Sequence, residues 1–456
     1  MATKRFTALK WTGIVLGLFI LAHVALNLLA AARLRRAYAA LEKDGRPMTA
    51  EQIIPQYVPD TNNAALLYNS AIFQLKAEAA GDKNVFDYVG GIFPDLKAGR
   101  LTPDKKEELR LVLRRESVVN ALRLVAQGIE KSACRFDLDY TQGPVILLPH
   151  LAELRGLSRL LAANAMVQAE DGEAERAWNT AITNLRFADA LRTEPILISQ
   201  LLRVAQIGLA MDCIQTIAKT SPPSETQAAA ADALLLRLDN NAPFILGMDG
   251  ERLLLGEWCF RRPWDLLGGP CLALSDSPSP SAMRTFSAVF GPLWRADHAA
   301  YLHILNEYAR APETPYWRIG NDAGEAMIST VPKYCILTRM LTPALDAVRT
   351  KQAGMQAQLR VIRVGIALMR HRRAHGSYPT ELAAVDPAFL KAAPEDPFTG
   401  KPLIYRAEGA GFALYSVAEN LKDDGGTPRP EAGKAPDEVM RAKAWDIVWK
   451  VTPDVR

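Results

Sequence analysis

From Gly376 the chain reads Gly376-Ser377-Tyr378-Pro379-Thr380, then Glu395-Asp396-Pro397-Phe398-Thr399-Gly400. It continues with Leu403-Ile404-Tyr405-Arg406, Gly411-Phe412-Ala413-Leu414-Tyr415-Ser416, Lys422-Asp423-Asp424-Gly425-Gly426 and Asp446-Ile447-Val448-Trp449. Gly376 suits the left-handed conformation that ends a helix, and Tyr378-Pro379 prevents its continuation. Thr380 is placed to cap a short helix that includes Leu382, and Asp386-Pro387 starts another turn. The prolines and glycine of residues 394–401 make a loop. Leu403 to Arg406 and Phe412 to Ser416 have the side chains of half-buried strands, joined as a hairpin by residues 407–411. Trp445 to Val451 is predicted as a third strand. A polar loop with Glu419, Asn420, Asp423 and Asp424 separates it from the second.

Upstream, Lys351 to His375 carries Met355, Leu359, Ile362, Ile366 and Met369 at steps of four and three, one face of a helix. Arg360, Arg363, Arg370, Arg372 and Arg373 lie mainly off that stripe. In this order the pieces of residues 351–452 resemble the C-terminal domain of the major pseudopilin of type II secretion systems. The resemblance implies a helix followed by a small antiparallel sheet. It also implies a calcium ion held in the loop after the second strand. Ser416, Asn420, Asp423, Asp424 and Asp446 are the matching oxygen donors, of the hard kind calcium takes. Where that family favours Gly-x-Asp-Gly, this chain has Ala418-Glu419-Asn420-Leu421. Leu at a left-handed position is costly, and one carboxylate becomes an amide. A solvated acidic turn is the competing reading of the loop. The resemblance stops at this domain, because no prepilin-like Gly and Glu flank the N-terminal apolar run.

That run, Trp11 to Ala32, holds no formal charge and reaches roughly 33 Å as a helix, enough to cross a bilayer. Basic residues stand on both sides: Lys4, Arg5 and Lys10 before it, Arg33, Arg35 and Arg36 after it. Charge therefore leaves orientation open. A cleavable signal peptide ending at Ala30-Ala31-Ala32 is the rival of an uncleaved anchor. His23 and Asn27, four apart, share one helix face.

The middle of the chain is predicted mostly helical. Asp60-Thr61-Asn62-Asn63 caps a helix over Ala64 to Ala77, and Leu101-Thr102-Pro103-Asp104 caps one reaching about Gly128. Cys134 to Gly143, with alternating Phe136, Leu138 and Tyr140, is expected to be extended. Residues 149–218 form the clearest helical block. There Gly172, Ala177 and Ala181 fall at the spacings of a tetratricopeptide-like hairpin, with no second copy about 34 residues away. Residues 240–281 are rich in Gly, Pro and Trp and are expected to be irregular, ending in an exposed proline-rich loop from Ser275 to Ser281. Helix is expected to resume near Ala282, and a further helix is expected over Ala299 to Arg310. It is expected again over Ile336 to Val348, kinked or restarted by Pro343. Pro59-Asp60, Asn63-Ala64-Ala65, Tyr68, Leu148-Pro149-His150-Leu151 and Leu154-Arg155 resemble pieces of a group of bacterial membrane-anchored helical proteins, a resemblance that brings no activity.

The 456 residues suffice for two or three domains, and a net charge of +4 from 54 basic and 50 acidic residues is too balanced to imply nucleic acid. Five cysteines without a CxxC leave at least one unpaired in a monomer. Cys259 and Cys271 are a candidate pair, set against buried free thiols. The candidate catalytic pairs each face a plainer reading. His371 and His375 have the zinc spacing, with Arg372 and Arg373 in place of a Glu base. His298 and His303 do not share a face. Cys134 with His150 lacks a third group. Asp137 and Asp139 alternate on an extended stretch, where a solvated face is commoner.

The expected fold is mainly α. It comprises a tail (residues 1–10), a transmembrane helix (11–32), a juxtamembrane segment (33–61), an irregular helical domain with the hairpin (62–350) and a small α+β module (351–456). The expected protein is a non-catalytic, single-pass protein of a bacterial inner membrane, with its bulk extracytoplasmic. It would bind a protein partner and no nucleic acid, with calcium as the candidate cofactor. An envelope hydrolase with dispersed catalytic residues is the alternative.

Overall fold

The computed structural model describes residues 2–80, 83–262, 280–310, 316–319, 323–430 and 437–452. Helices dominate it, and a three-stranded antiparallel sheet lies near the C-terminus.

The first helix, Ala2–Lys43, is unbroken, and its part from Trp11 on is apolar enough to cross a membrane. Trp11, Leu16, Phe19 and Leu21 are each more than half exposed. Burial begins along His23, Asn27, Ala30, Leu34, Ala37 and Leu41, steps of four and three that form one helix face. That face packs on the helix Pro280–Arg310, which joins the stretch expected near Ala282 and that over Ala299 to Arg310 into one helix. Arg295 Nη1 donates to Asn27 Oδ1, Tyr38 meets His298 edge-on at 5.9 Å, and Asn306 Nδ2 donates to Asp44 Oδ2 at 2.7 Å. Residue numbers rise together on both helices, so the two run parallel. The helix Leu197–Ala218 is also long and apolar, but it is a core helix: Leu202, Ile207, Met211 and Ile214 are buried in the body.

The body is a stack of helices. Asn63 starts the helix Ala64–Ala77. Its Oδ1 accepts from Ala65 N at 3.1 Å and from Arg135 N at 2.9 Å, pinning the helix start to residues 133–135. Tyr68 fills the space over Gly128 and meets Phe187 edge-on. The single helix expected up to Gly128 is two, Pro103–Leu113 and Glu116–Gly128, parted at an extended Arg115. Leu113 and Val118, five apart, would lie about 140° apart around one continuous helix. The break lets both be buried. The hairpin of His150–Glu170 and Ala174–Ala188 turns at Gly172, with φ of 82°, and Ala177 and Ala181 are fully buried where its helices meet.

Two expected irregular stretches differ. Residues 134–143 form no strand; their end enters a 3-10 stretch, Tyr140–Val145. The stretch after Asn240 is helical: Ala242–Gly250, a π turn over Glu251–Gly256, then Glu257–Arg261. Its Pro243 sits in the first turn, where proline is tolerated. Its glycines are packing residues, since a Cβ on Gly250 would overlap the Pro195 carbonyl and one on Gly256 the Tyr301 ring. The helix Val85–Lys97 and the short helices Tyr316–Ile319 and Ala323–Thr330 were not expected. Cys259 is buried, while Cys271 and the proline-rich run as far as Ser279 lie outside the described residues.

Helix Ile336–Leu341 ends before Pro343, which starts the long helix Pro343–His375. That helix stops at Gly376, φ 82°. Met355, Leu359, Ile362 and Ile366 are buried in the same hydrophobic cluster as Leu161, Ile214 and Leu235 of the body and Phe412, Leu414 and Trp449 of the sheet. Its arginines pair with the body: Arg360 with Asp239 at 2.7 Å, Arg363 with Asp232 at 2.6 Å, Arg373 with Glu225 at 2.7 Å, and Arg370 also with Glu225. The strands are Ile404–Glu408, Gly411–Ser416 and Ile447–Val451, with the fully buried second strand in the centre. Ile404 pairs with Tyr415, and Ser416 with Ile447.

Candidate functional site

The central strand ends at Ser416, and the loop that follows turns through Ala418 and Leu421. Both hold left-handed φ, 53° and 58°. A side chain there costs energy that glycine would not, so the backbone keeps a glycine-like path without the glycines.

The expected metal donors do not all face one point. Ser416 is fully buried, and its Oγ donates to Asp396 Oδ1 at 2.9 Å. Asp396 also accepts from Phe398 N at 2.9 Å and Val417 N at 3.2 Å. Burial raises its carboxyl above the usual range, against the pull of those donors. Ser416 is therefore part of a clasp between the turn at 395–402 and the central strand. Asp423 Oδ1 accepts from Tyr415 OH at 3.0 Å and Gly425 N at 2.8 Å. Asn420 Nδ2 donates to Asp424 Oδ2 at 2.7 Å, and Asn420 Oδ1 accepts from Lys422 N at 3.0 Å. Asp446 Oδ2 accepts from Gly426 N at 2.8 Å. The other oxygen, Asp446 Oδ1, is buried without a hydrogen-bond partner. Burial first, and then the charge of Asp424, raise the Asp446 carboxyl, while backbone N–H groups lower it. Among the described residues no three His, Cys, Asp or Glu side chains are grouped as metal ligands. The loop thus brings Asn420 and Asp424 together and turns Asp423 onto Tyr415. Asp396, which holds Ser416, was missed by sequence reasoning, although its Asp-Pro dipeptide was in view.

Beside this loop lies a cleft of about 1040 Å³ between the body and the outer edge of the third strand. Ala347, Gly354, Phe398, Trp445, Ile447 and Val448 give it apolar wall. Two of its acids are engaged: Asp212 pairs with Lys97 and accepts from Gln358 Nε2 at 3.1 Å, and Glu419 pairs with Lys443 at 2.8 Å, while Asp446 also lines it. Lys351 and Arg429 add positive charge. Gln215 Nε2 donates to the Val448 carbonyl at 3.2 Å, covering one backbone group of the edge strand.

The other sequence candidates resolve into structural contacts. His371 and His375 stack at 4.3 Å over the turn at Asp386, where His371 Nδ1 accepts from Asp386 N at 3.2 Å. Partial burial and the neighbouring His375 lower the His371 pKa. His298 is buried against Phe260 at 4.4 Å, whereas His303 is exposed. His150 stacks on Phe136 and lies 3.1 Å from Glu194 Oε2. Glu194 also accepts from Ser199 Oγ. Burial, and then Glu194, push the Cys134 thiol up, which disarms it as a nucleophile. Asp137 and Asp139 are exposed, and Asp139 caps the turn at Thr141, whose N–H and hydroxyl, with Gln142, hold its carboxyl low. No family model matches the chain, and neither a curated protein nor a solved structure matches it.

Proposed function

We propose that this chain is a non-catalytic protein of a bacterial inner membrane, anchored by its N-terminal helix, whose extracytoplasmic body binds a protein partner in the cleft beside the sheet edge. The cleft carries this reading. It combines apolar wall with charged groups, of which Asp212 and Glu419 are paired with lysines, as in a binding surface, rather than a nucleophile beside a base. The small-residue hairpin of residues 150–188 and the sheet module are read as tetratricopeptide-like and pseudopilin-like units built on one core. A photo-crosslinking residue at Ala347, inside the cleft, is expected to give a discrete protein adduct in intact membranes that is absent from exposed Leu111. Identical background patterns from both positions refute the reading.

The orphaned Asp446 Oδ1 supports calcium as the cofactor of this module. Asp446 and Asp424 would supply carboxylate oxygens, with Asn420 and Asp423 close by. Calcium would neutralise the acidic loop and tie its ends together. Ser416 is engaged by Asp396 and is the weakest member of the expected set.

A further inference from the structure

The helix Pro280–Arg310 runs parallel to the anchor, and the contacts of Tyr38 with His298 and of Asp44 with Asn306 set their relative height. Val289, nine residues before His298 and seventeen before Asn306, then stands level with about Asn27 to Leu29. Asn27 stands five residues inside the Ala32 end of the apolar run, about 8 Å below it at the helical rise. That level lies in the outer third of a hydrocarbon core about 30 Å thick. Thr285 to Trp294 holds no charged residue. Val289, Phe290 and Leu293, on one face, are 54%, 48% and 46% exposed. In water such a face is costly. At about the same height the anchor exposes Leu26, Leu28 and Leu29, so the two surfaces form one apolar belt.

We propose that the first half of the helix Pro280–Arg310 is embedded in the bilayer beside the anchor, with Val289, Phe290 and Leu293 against lipid acyl chains. The proposal rests on the reading of the N-terminal helix as a membrane span. Ten uncharged residues reach about 15 Å, which suits partial insertion and not a second crossing. The polar Asn27 inside the apolar run then has a purpose: its side-chain oxygen accepts from the Arg295 guanidinium near the membrane edge, where an unpaired cation would be expensive.

The test places p-benzoylphenylalanine singly at Val289, Leu293, Phe19 and Phe73 of the full chain in phospholipid membranes, and reads lipid adducts by mass spectrometry after irradiation. Phe73 is 76% exposed on the body and is the aqueous control. Lipid adducts at Val289 and Leu293 as abundant as at Phe19, and none at Phe73, are the expected result. Adducts at Phe19 without adducts at Val289 or Leu293 overturn the proposal while leaving the anchor in place. Protein adducts at Val289 in place of lipid also overturn it, because another polypeptide then covers the face. Absence of lipid adducts at Phe19 removes the membrane span itself, and the proposal with it.

Discussion

The six-membered ring of Trp449 lies against Gly365, in the space a Cβ on that residue would occupy. The contact locks the third strand to the long helix, and so to the body. Trp449 is almost wholly buried. Gly365→Ala must push the indole aside, and overpacking of this kind costs about 1–3 kcal/mol. Trp449→Ala leaves a cavity and is expected to cost about 3–5 kcal/mol. Equilibrium denaturation of the solubilised protein measures both. An unchanged midpoint in Gly365→Ala refutes the tight contact.

Asp396→Ala removes the acceptor shared by Ser416 Oγ, Phe398 N and Val417 N. Two backbone donors and a hydroxyl are then left without their partner, at an expected loss of about 2–4 kcal/mol. Asp396→Asn keeps one acceptor oxygen and is expected to lose less. Equal losses in the two variants would show that one retained oxygen contributes nothing and that the clasp needs both carboxylate oxygens.

Leu421→Gly is expected to stabilise the protein by up to about 1 kcal/mol, because the left-handed backbone at φ 58° is strained for leucine. The side chain is 40% exposed, so little packing is lost. A lower melting temperature in this variant counts against the loop geometry.

Burial raises the Glu251 carboxyl to about 7. The folded state therefore holds its proton more tightly than the unfolded chain, whose carboxyl titrates near 4.3. The resulting stabilisation is full below that lower value and is lost as pH rises through about 7. The loss is of order 3–4 kcal/mol. Melting between pH 5 and pH 8 should fall more steeply in the parent than in Glu251→Gln. Parallel pH profiles would exclude Glu251 as the source.

Calcium at a hundredfold above its Kd should stabilise the folded protein by about 2.7 kcal/mol, and magnesium by less. Asp424→Asn with Asp446→Asn should abolish the difference between calcium and chelator. The full chain is the proper sample, because the sheet shares its core with residues 64–238. Coincident melting curves in calcium and chelator would make the loop a calcium-free acidic turn.

Local signals revealed much of this fold. The Asn63 cap, Pro103, the stop at Gly376 and the strand-favouring side chains of 404–408 and 411–416 each carry their conformation in adjacent residues. What stayed hidden depends on distant partners. Gly250 and Gly256 suggested a loop, yet they are small because Pro195 and Tyr301 press on them. Arg360 and Arg363 were legible only as lying off the apolar stripe, and Asp239 and Asp232 stand opposite them. The donors of the acidic loop were visible one by one. The Asp396 clasp that claims Ser416 needed the strand and turn to be brought together.

Leu41, nine residues beyond the apolar run, is 1% exposed inside the body, and the helix that carries it has no break between that run, read as a membrane span, and the core. A flexible tether would let the body roam over the membrane surface and meet partners at any angle. A continuous shaft seated in the core instead sets both the stand-off from the bilayer and the compass bearing of every face. Two copies side by side would present their clefts in a repeatable orientation, and a partner embedded in the same membrane would meet a target that does not swing.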